Sequence, residues 1–442
     1  MKKLTKKWQL ILYGCSGMGV NMLNLIVGSY LCSALLVGGF EENAESWTYL
    51  NRDLVVAALW SVLMLASKVI DGIIDLPFSS FADNLCTKWG RRRPAIVMGF
   101  VPMIVAYLLF LVPLNNGATV LNTVWFALML MVFYGCYTLT MLTFYATFAE
   151  VVDNKDDVVL ISNTKSICDV VYFVLGYALL PVFVGLGVNI RIVALIFLPL
   201  SLTMLIPLFL LKEEPTNTSD VKLDTKPRIT LWQSISYTFK CKEFIIWMCT
   251  ASVMNIGLQL FLGGINEFFS STGLNMTFVM ASVFVPVPLT IMLYNWVVKK
   301  KGLGFAYRYI LIVYSIGMLL MYLCNGIDRS LLLPFAIGCG VITSFSIGSF
   351  FSVTYIVPSH IAASRKADGE SASSMFFAVQ GLFEGVATGI ATGVILVYLK
   401  GTENNPGPIH LMTLIVAAAC MTAFVMSFFL PKSITQIGKA KK

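Results

Sequence analysis

Lys68, Asp71 and Asp75 stand at i, i+3 and i+7 within an apolar run that begins at Leu54. On an α-helix, at about 100° per residue, their side chains fall within about 60° of one another. The run 54–82 is centred near residue 68, so these groups lie close to mid-membrane if the run crosses a bilayer. An ionised side chain at that depth costs roughly 2.5–3.5 kcal/mol on insertion scales. Three such groups scattered by chance would partly face lipid, whereas three on one face point at a shared polar interior. Two carboxylates four residues apart offer oxygens to one point, which suits a Na⁺ ion or a proton. Lys68, one turn away, can pair with a carboxylate when the cation is absent. Pro77 displaces the i−4 carbonyl, that of Ile73, and can free an oxygen inside a helix bundle. The competing reading is an ion pair that only holds helices together.

The rest of the chain supplies the elements that must position these residues. It has 442 residues, 57% of them apolar and only 12% charged, with mean hydropathy +0.81. A soluble protein of this size needs far more charged surface. Apolar stretches recur over approximately 9–37, 54–82, 95–114, 119–148, 163–188, 190–211, 244–266, 276–298, 309–325, 331–357, 371–398 and 410–430. Each is long enough to cross about 30 Å of hydrocarbon. The expected fold is an all-α membrane protein with twelve transmembrane helices. The first run is too long for the h-region of a cleavable signal. The ten cysteines contain no CxxC pair, and there are only two histidines, so neither a disulfide framework nor a His-rich metal or haem site is implied.

The polar stretch from Lys212 to Glu243 divides the spans six and six and reads as a linker, in which Leu231, Ile235 and Phe239 have the spacing of a short surface helix. The expected organisation is an N-terminal bundle 1–211, a cytoplasmic linker 212–243, a C-terminal bundle 244–431 and a cytoplasmic tail 432–442. With both termini in the cytoplasm, the inner segments carry 25 lysines and arginines and the outer loops carry four, Arg52, Arg191, Arg329 and Lys400. This asymmetry accounts for the net charge of +8, so nucleic acid is not an expected partner. Six plus six around a central linker is the layout of major facilitator transporters. The loops "TKWGRRRP" and "VKKKGLGFAYR" echo one another at matching places in the two halves.

The stretch "DGIIDLPFSSFADNLCTKWGRRRPAI" closely resembles the helix-two signature of the glycoside–pentoside–hexuronide:cation symporters, the melibiose permease family. The charged, aromatic and helix-breaking positions coincide in order. "YGCSGMGVN" at the start of the first span, "YTLTMLTFYATFAEVVDNKDD" at the end of the fourth, Lys165 in the fifth and "ADGESASSMFFAVQGLFEG" at the eleventh extend the similarity over most of the chain.

By position, the resemblance implies that Asp71 and Asp75 are the cation carboxylates, with Na⁺ as the metal they would hold, and that Thr138 adds a hydroxyl oxygen. Where the family often has Asn before the second Asp, this chain has Ile74, which removes a neutral oxygen and tilts the balance toward H⁺. Where melibiose permease binds sugar with a helix-four aspartate, Met141 stands here, and a thioether accepts essentially no hydroxyl. Ser359 and Ala362 replace two acids of the tenth helix, and Glu384 lies near the place of a helix-eleven lysine. The cation end looks retained and the sugar end rewritten.

The remaining candidates follow from residue type and depth. Asp169 lies one turn after Lys165, as a self-satisfied pair or as part of a solute site. Glu384 is flanked by small residues that let helices approach or line a cavity. Glu150, Asp153, Asp156 and Asp157 form an acidic loop that could pair with Arg91–Arg93 as a gate. Asn21, Asn24, Asn255, Gln259 and Asn266 are amides at membrane depth, and Tyr30, Trp125, Tyr134, Tyr137 and Tyr145 could stack on a ring. The expected solute-binding set is Asn21, Lys68, Tyr137, Met141, Tyr145, Lys165, Asp169, Asn255, Gln259 and Glu384. With no P-loop, catalytic triad or metal cluster, the chain reads as a non-enzymatic secondary transporter in the cell membrane. It needs no cofactor, works as a monomer, and couples Na⁺ or H⁺ to a small organic solute, sugar or glycoside. A lysolipid-like amphipathic solute is the alternative, and a transport-inactive receptor is a third reading.

Overall fold

The structure is a computed structural model that describes residues 4–40, 44–85, 87–149, 151–152, 155–213, 239–274, 276–365 and 373–437. Most of the linker (214–238, with Leu231 and Ile235), Glu150, Asp153 and the 366–372 approach to the eleventh span lie outside the described residues, as do the side chains of Asp75, Asp156, Ser359 and Ala362. Twelve helices among the described residues are long and apolar enough to cross a membrane. They are α1 (Lys7–Leu35), α2 (Ala57–Asn84), α3 (Arg92–Phe110), α4 (Val120–Ala146), α5 (155–185), α6 (190–210), α7 (Lys242–Thr272), α8 (Thr277–Lys301), α9 (Leu303–Tyr322), α10 (Arg329–Arg365), α11 (373–400) and α12 (Met412–Met426). The twelve-helix fold expected from the apolar runs is the observed one.

Contacts divide the chain into two units, and helix α2 is shared between them. The first comprises Met1–Leu35, Glu45–Leu63 and Ile73–Arg228; the second comprises Leu36–Ala44, Met64–Gly72 and Ile229–Lys442.

In the first unit α3 lies along α4, and α1 packs on α5 and α6. Thr119 caps α4 by accepting from the Asn122 amide at 3.2 Å, and Asn189 caps α6 by accepting from Arg191 at 3.0 Å. Helices α1 and α5 each contain a π-helical turn, Val27–Leu31 and Leu175–Leu179. Such turns leave carbonyls unpaired along the helix. Here the two turns are tied together: the Tyr30 hydroxyl donates to the Gly176 carbonyl at 2.7 Å, and the Ser29 and Tyr177 hydroxyls are 2.7 Å apart.

The glycine of "TKWGRRRP" has a backbone reason. Gly90 has φ +91°, and a Cβ there would collide with the Glu213 carboxylate. That carboxylate accepts from the amides of Arg92, at 3.0 Å, and Arg93, at 3.4 Å, and so caps the positive end of α3. In the echoing loop Gly302 has φ +88° and ends α8 after Lys299, Lys300 and Lys301. The weak sequence echo therefore corresponds to a glycine with positive φ in both places.

In the second unit α12 packs on α7 and α9, and α10 packs on α8 and α9. Helix α11 carries glycine every fourth residue from 381 to 393, and the first three mark a close approach of residues 65–72 of α2. A Cβ on Gly381's partner Gly72 would meet the Gly381 carbonyl at 2.8 Å; on Gly385 it would meet the Lys68 carbonyl at 2.5 Å, and on Gly389 Leu65 at 2.7 Å. Because the obstacle at Gly385 is backbone, a side chain cannot be accommodated by a rotamer change. Gly385→Val is expected to cost about 3 kcal/mol or more, read as a lower melting temperature of the purified protein. A melting temperature equal to wild type would show that this helix contact is not tight.

Candidate solute and cation sites

Within the first unit one amide gathers four of the expected residues. Asn21, on α1, is buried at 5% exposure. Its Oδ1 accepts from the Tyr137 hydroxyl at 3.0 Å, and its Nδ2 donates to Tyr145 Oη and to Asp169 Oδ1, each at 3.4 Å. Asp169 Oδ2 pairs with Lys165 Nζ at 2.6 Å, and the same ammonium lies over the Tyr145 ring, 5.2 Å from its centroid. Helices α1, α4 and α5 thus each contribute polar groups to one cluster.

The Lys165 and Asp169 side chains are 33% and 25% exposed, so the pair is satisfied but not sealed. A ligand hydroxyl can therefore reach both partners of the pair. A hydroxyl can donate to Asp169 and accept from Lys165, and an aromatic face waits beside it. The other helix-four candidate, Met141, is 3% exposed, with its Cε 3.0 Å from where a Cβ on Gly17 would stand. It packs α4 on α1 beside the cluster.

Helix α2 runs unbroken through Pro77 from Ala57 to Asn84, so Lys68, Asp71 and Asp75 keep the spacing of one helical face. Lys68, Asp71 and the α4 residue Thr138 are half-buried. Ile74 fills its place with hydrocarbon: its Cδ1 lies 3.2 Å from where a Cβ on Gly135 of α4 would stand. The Ile74 side chain itself offers no oxygen there.

The second unit holds a separate polar ladder. Asn255 of α7 donates to the Glu384 backbone carbonyl and to Thr388 Oγ1 of α11, both at 3.3 Å, and accepts from Gln259 at 3.4 Å. The Glu384 carboxylate accepts from Gln380 at 2.7 Å, and the same Gln380 amide donates to the Thr354 carbonyl of α10 at 3.0 Å. Gln380 is 3% exposed and was not among the expected residues. The available signal was its position one turn before Glu384 on the same helical face. Asn266, another expected amide, is buried in α7.

Twelve helices long and apolar enough to cross a membrane, with amides and charged side chains along their faces, suit a transporter. A model of the MFS/sugar transport protein family matches residues 12–409, and the chain belongs to that family. This bears out the family resemblance carried by helix two. No curated protein sequence matches the chain. Among solved structures the nucleoside transporter NupG is similar at 16% identity, with TM-score 0.64, over 96% of this chain and 99% of its own. A bacterial homologue of the human drug peptide transporters PepT1 and PepT2 is similar at 12% identity, with TM-score 0.58, over 96% and 98%. A bacterial homologue of the human lysosomal transporter Spinster is similar at 11% identity, with TM-score 0.57, over 97% and 95%. At these identities the likeness concerns the fold.

Proposed function

We propose that this multi-pass transporter is a secondary symporter that couples the inward movement of Na⁺ or H⁺ to uptake of a polyhydroxylated solute, a sugar or glycoside. The observation that carries the reading is the Asn21-centred cluster, whose donors, acceptors and aromatic face match a sugar ring with several hydroxyls. Asp71 and Asp75, with Thr138, take the cation, and its charge relieves the repulsion between the two carboxylates. The transporter works by alternating access of its two six-helix halves, as a monomer in the cell membrane with both termini in the cytoplasm. Cation and solute bind with positive coupling, and linkage requires that each tighten the other equally.

A thermal-shift screen of the detergent-solubilised chain tests this. Monosaccharides, disaccharides and nucleosides are compared with lysophosphatidylcholine, each with and without Na⁺ and at two pH values. A ligand at about 100 times its Kd stabilises the folded state by roughly 2.7 kcal/mol, a readable shift. Stabilisation by a glycoside that deepens with Na⁺ or at low pH supports the proposal. Stabilisation by lysolipid alone replaces the sugar with an amphipathic cargo.

A further inference from the structure

A trough runs along two helices of the first unit that the Asn21 cluster does not use. Two cavities follow one another between α3 and α6. One, of about 660 Å³, lies at the end of α3; Leu108, Val112, Ile192 and Leu195 wall it, and its polar groups are Tyr49, Asn189 and Arg191. The other, of about 350 Å³, continues from residues 105 and 198 along the same helices, walled by Phe100, Val101, Val105, Pro199 and Leu202. Its polar residue, Ser201, donates its hydroxyl to the Leu198 carbonyl at 2.7 Å. Tyr107 accounts for the gap. It is fully buried, and its hydroxyl donates to the Ala194 carbonyl at 2.9 Å, so a ring bridges the two backbones where the cavities meet. Val101, Val105, Ile192 and Leu202 are each about half exposed, which leaves the trough open along an aliphatic face. Arg191 is held from two sides. Its Nε donates to the Leu111 carbonyl at 2.8 Å, and its guanidinium lies 5.5 Å from the centre of the Tyr49 ring, whose hydroxyl donates to the Phe110 carbonyl at 3.1 Å. Among the described residues Arg191 has no acidic partner, and its two terminal nitrogens have no hydrogen-bond partner.

We propose that this trough holds one anionic glycerophospholipid, with its phosphate on Arg191 and an acyl chain along α3 and α6. The two terminal nitrogens of a guanidinium match two phosphate oxygens, and such charge-assisted pairs are short and strong. Nε and the Tyr49 ring already fix the guanidinium, so little side-chain freedom is lost on binding. Charge complementarity selects an anionic lipid. A head group that carries an ammonium would bring a second cation beside Arg191, and like charges repel. The apolar part fits by length. From Phe100 to Leu111 the chain of α3 rises about 16 Å at 1.5 Å per residue, close to half of the roughly 30 Å hydrocarbon core. The trough therefore reaches about as deep as one leaflet. With the Ser201 hydroxyl satisfied, its deeper half offers hydrocarbon alone, which suits an acyl chain and no polar solute. With a cytoplasmic N-terminus the end of α3 lies at the outer surface, so the lipid belongs to the outer leaflet. The site depends on the membrane-spanning fold and not on the cargo or the coupling ion assigned above.

Native mass spectrometry of the full chain, delipidated in detergent, tests the proposal. The protein is titrated with palmitoyl-oleoyl phosphatidylglycerol, with phosphatidylcholine of the same chains, and with palmitate. Wild type is compared with Arg191→Gln and with Val105→Trp, which puts a bulky ring into the trough at a half-exposed position and leaves Arg191 in place. One phosphatidylglycerol is expected to bind wild type at least about tenfold more tightly than phosphatidylcholine. Arg191→Gln is expected to weaken phosphatidylglycerol by about tenfold or more and to remove that preference, because the charge-assisted pair is lost. Val105→Trp is expected to weaken both phospholipids by about tenfold, since each methylene kept out of the trough lowers affinity. Val105→Trp keeps the test decisive even if Arg191→Gln, which also loses a contact at the end of α3, fails to fold. Equal affinity of wild type for the two phospholipids overturns the proposal, as does phosphatidylglycerol affinity unchanged in either variant. Tighter binding of palmitate than of phosphatidylglycerol also overturns it and makes the occupant a single-chain anion.

Discussion

Asparagine in place of Asp71, or of Asp75, is expected to abolish gradient-driven accumulation while the protein still folds and inserts. Asparagine nearly keeps the volume and one oxygen but removes the charge. A cation leaving water needs that charge, because a neutral amide does not repay the lost hydration at low dielectric. Each single substitution is therefore expected to lower concentrative uptake by about two orders of magnitude or more, a loss of about 3 kcal/mol of cation binding. Downhill exchange of solute is expected to survive better than accumulation, because the cluster around Asn21 is untouched. Uptake assays on matched amounts of purified variant check this. Normal accumulation by both single variants would remove the cation-site assignment.

Lys165→Ala is expected to weaken solute binding by roughly 10- to 150-fold, the range of one charge-assisted hydrogen bond of about 1.5–3 kcal/mol. The ammonium is the cationic donor in the cluster, held 2.6 Å from Asp169 and over the Tyr145 ring. Its removal leaves Asp169 without its counter-charge, so a compensating Asp169→Asn substitution is expected to recover expression but not affinity. Cation affinity measured in the absence of solute is expected to stay within a few-fold of wild type. Titration of binding for the solute found in the thermal screen, against Na⁺ or pH titration of the same variant, separates the two. Equal loss of solute and cation affinity would place Lys165 in the structural framework instead.

Much of the architecture was legible from hydropathy because the bilayer imposes one simple requirement. Each span must satisfy its own backbone and show lipid an apolar surface about 20 residues long. The cluster around Asn21 was legible for a related reason. Amides and charges are costly at depth, so Asn21, Lys165 and Asp169 stood out in apolar runs, although nothing in their spacing revealed that Asn21 would join α4 to α5. What stayed hidden was set by tertiary contact. Glu213 lies in a stretch that reads as linker, and its role as the cap of α3 depends on chain separated from it by about 120 residues. Lys400 looked like an outer-loop cation, and only the fold brings it to Glu267 and beneath Gly38 and Gly39. The π-helical turns of α1 and α5 also leave no periodic trace, since each adds a single residue to one turn.

The central claim is that solute movement is driven by a cation gradient. Purified protein in proteoliposomes, given a radiolabelled sugar from the screen and an imposed inward Na⁺ or H⁺ gradient, measures it directly. The account predicts accumulation of solute above its external concentration, lost when an ionophore collapses the gradient that drives it. Equilibration that stops at the external concentration, and is unchanged when both gradients are collapsed, would contradict it.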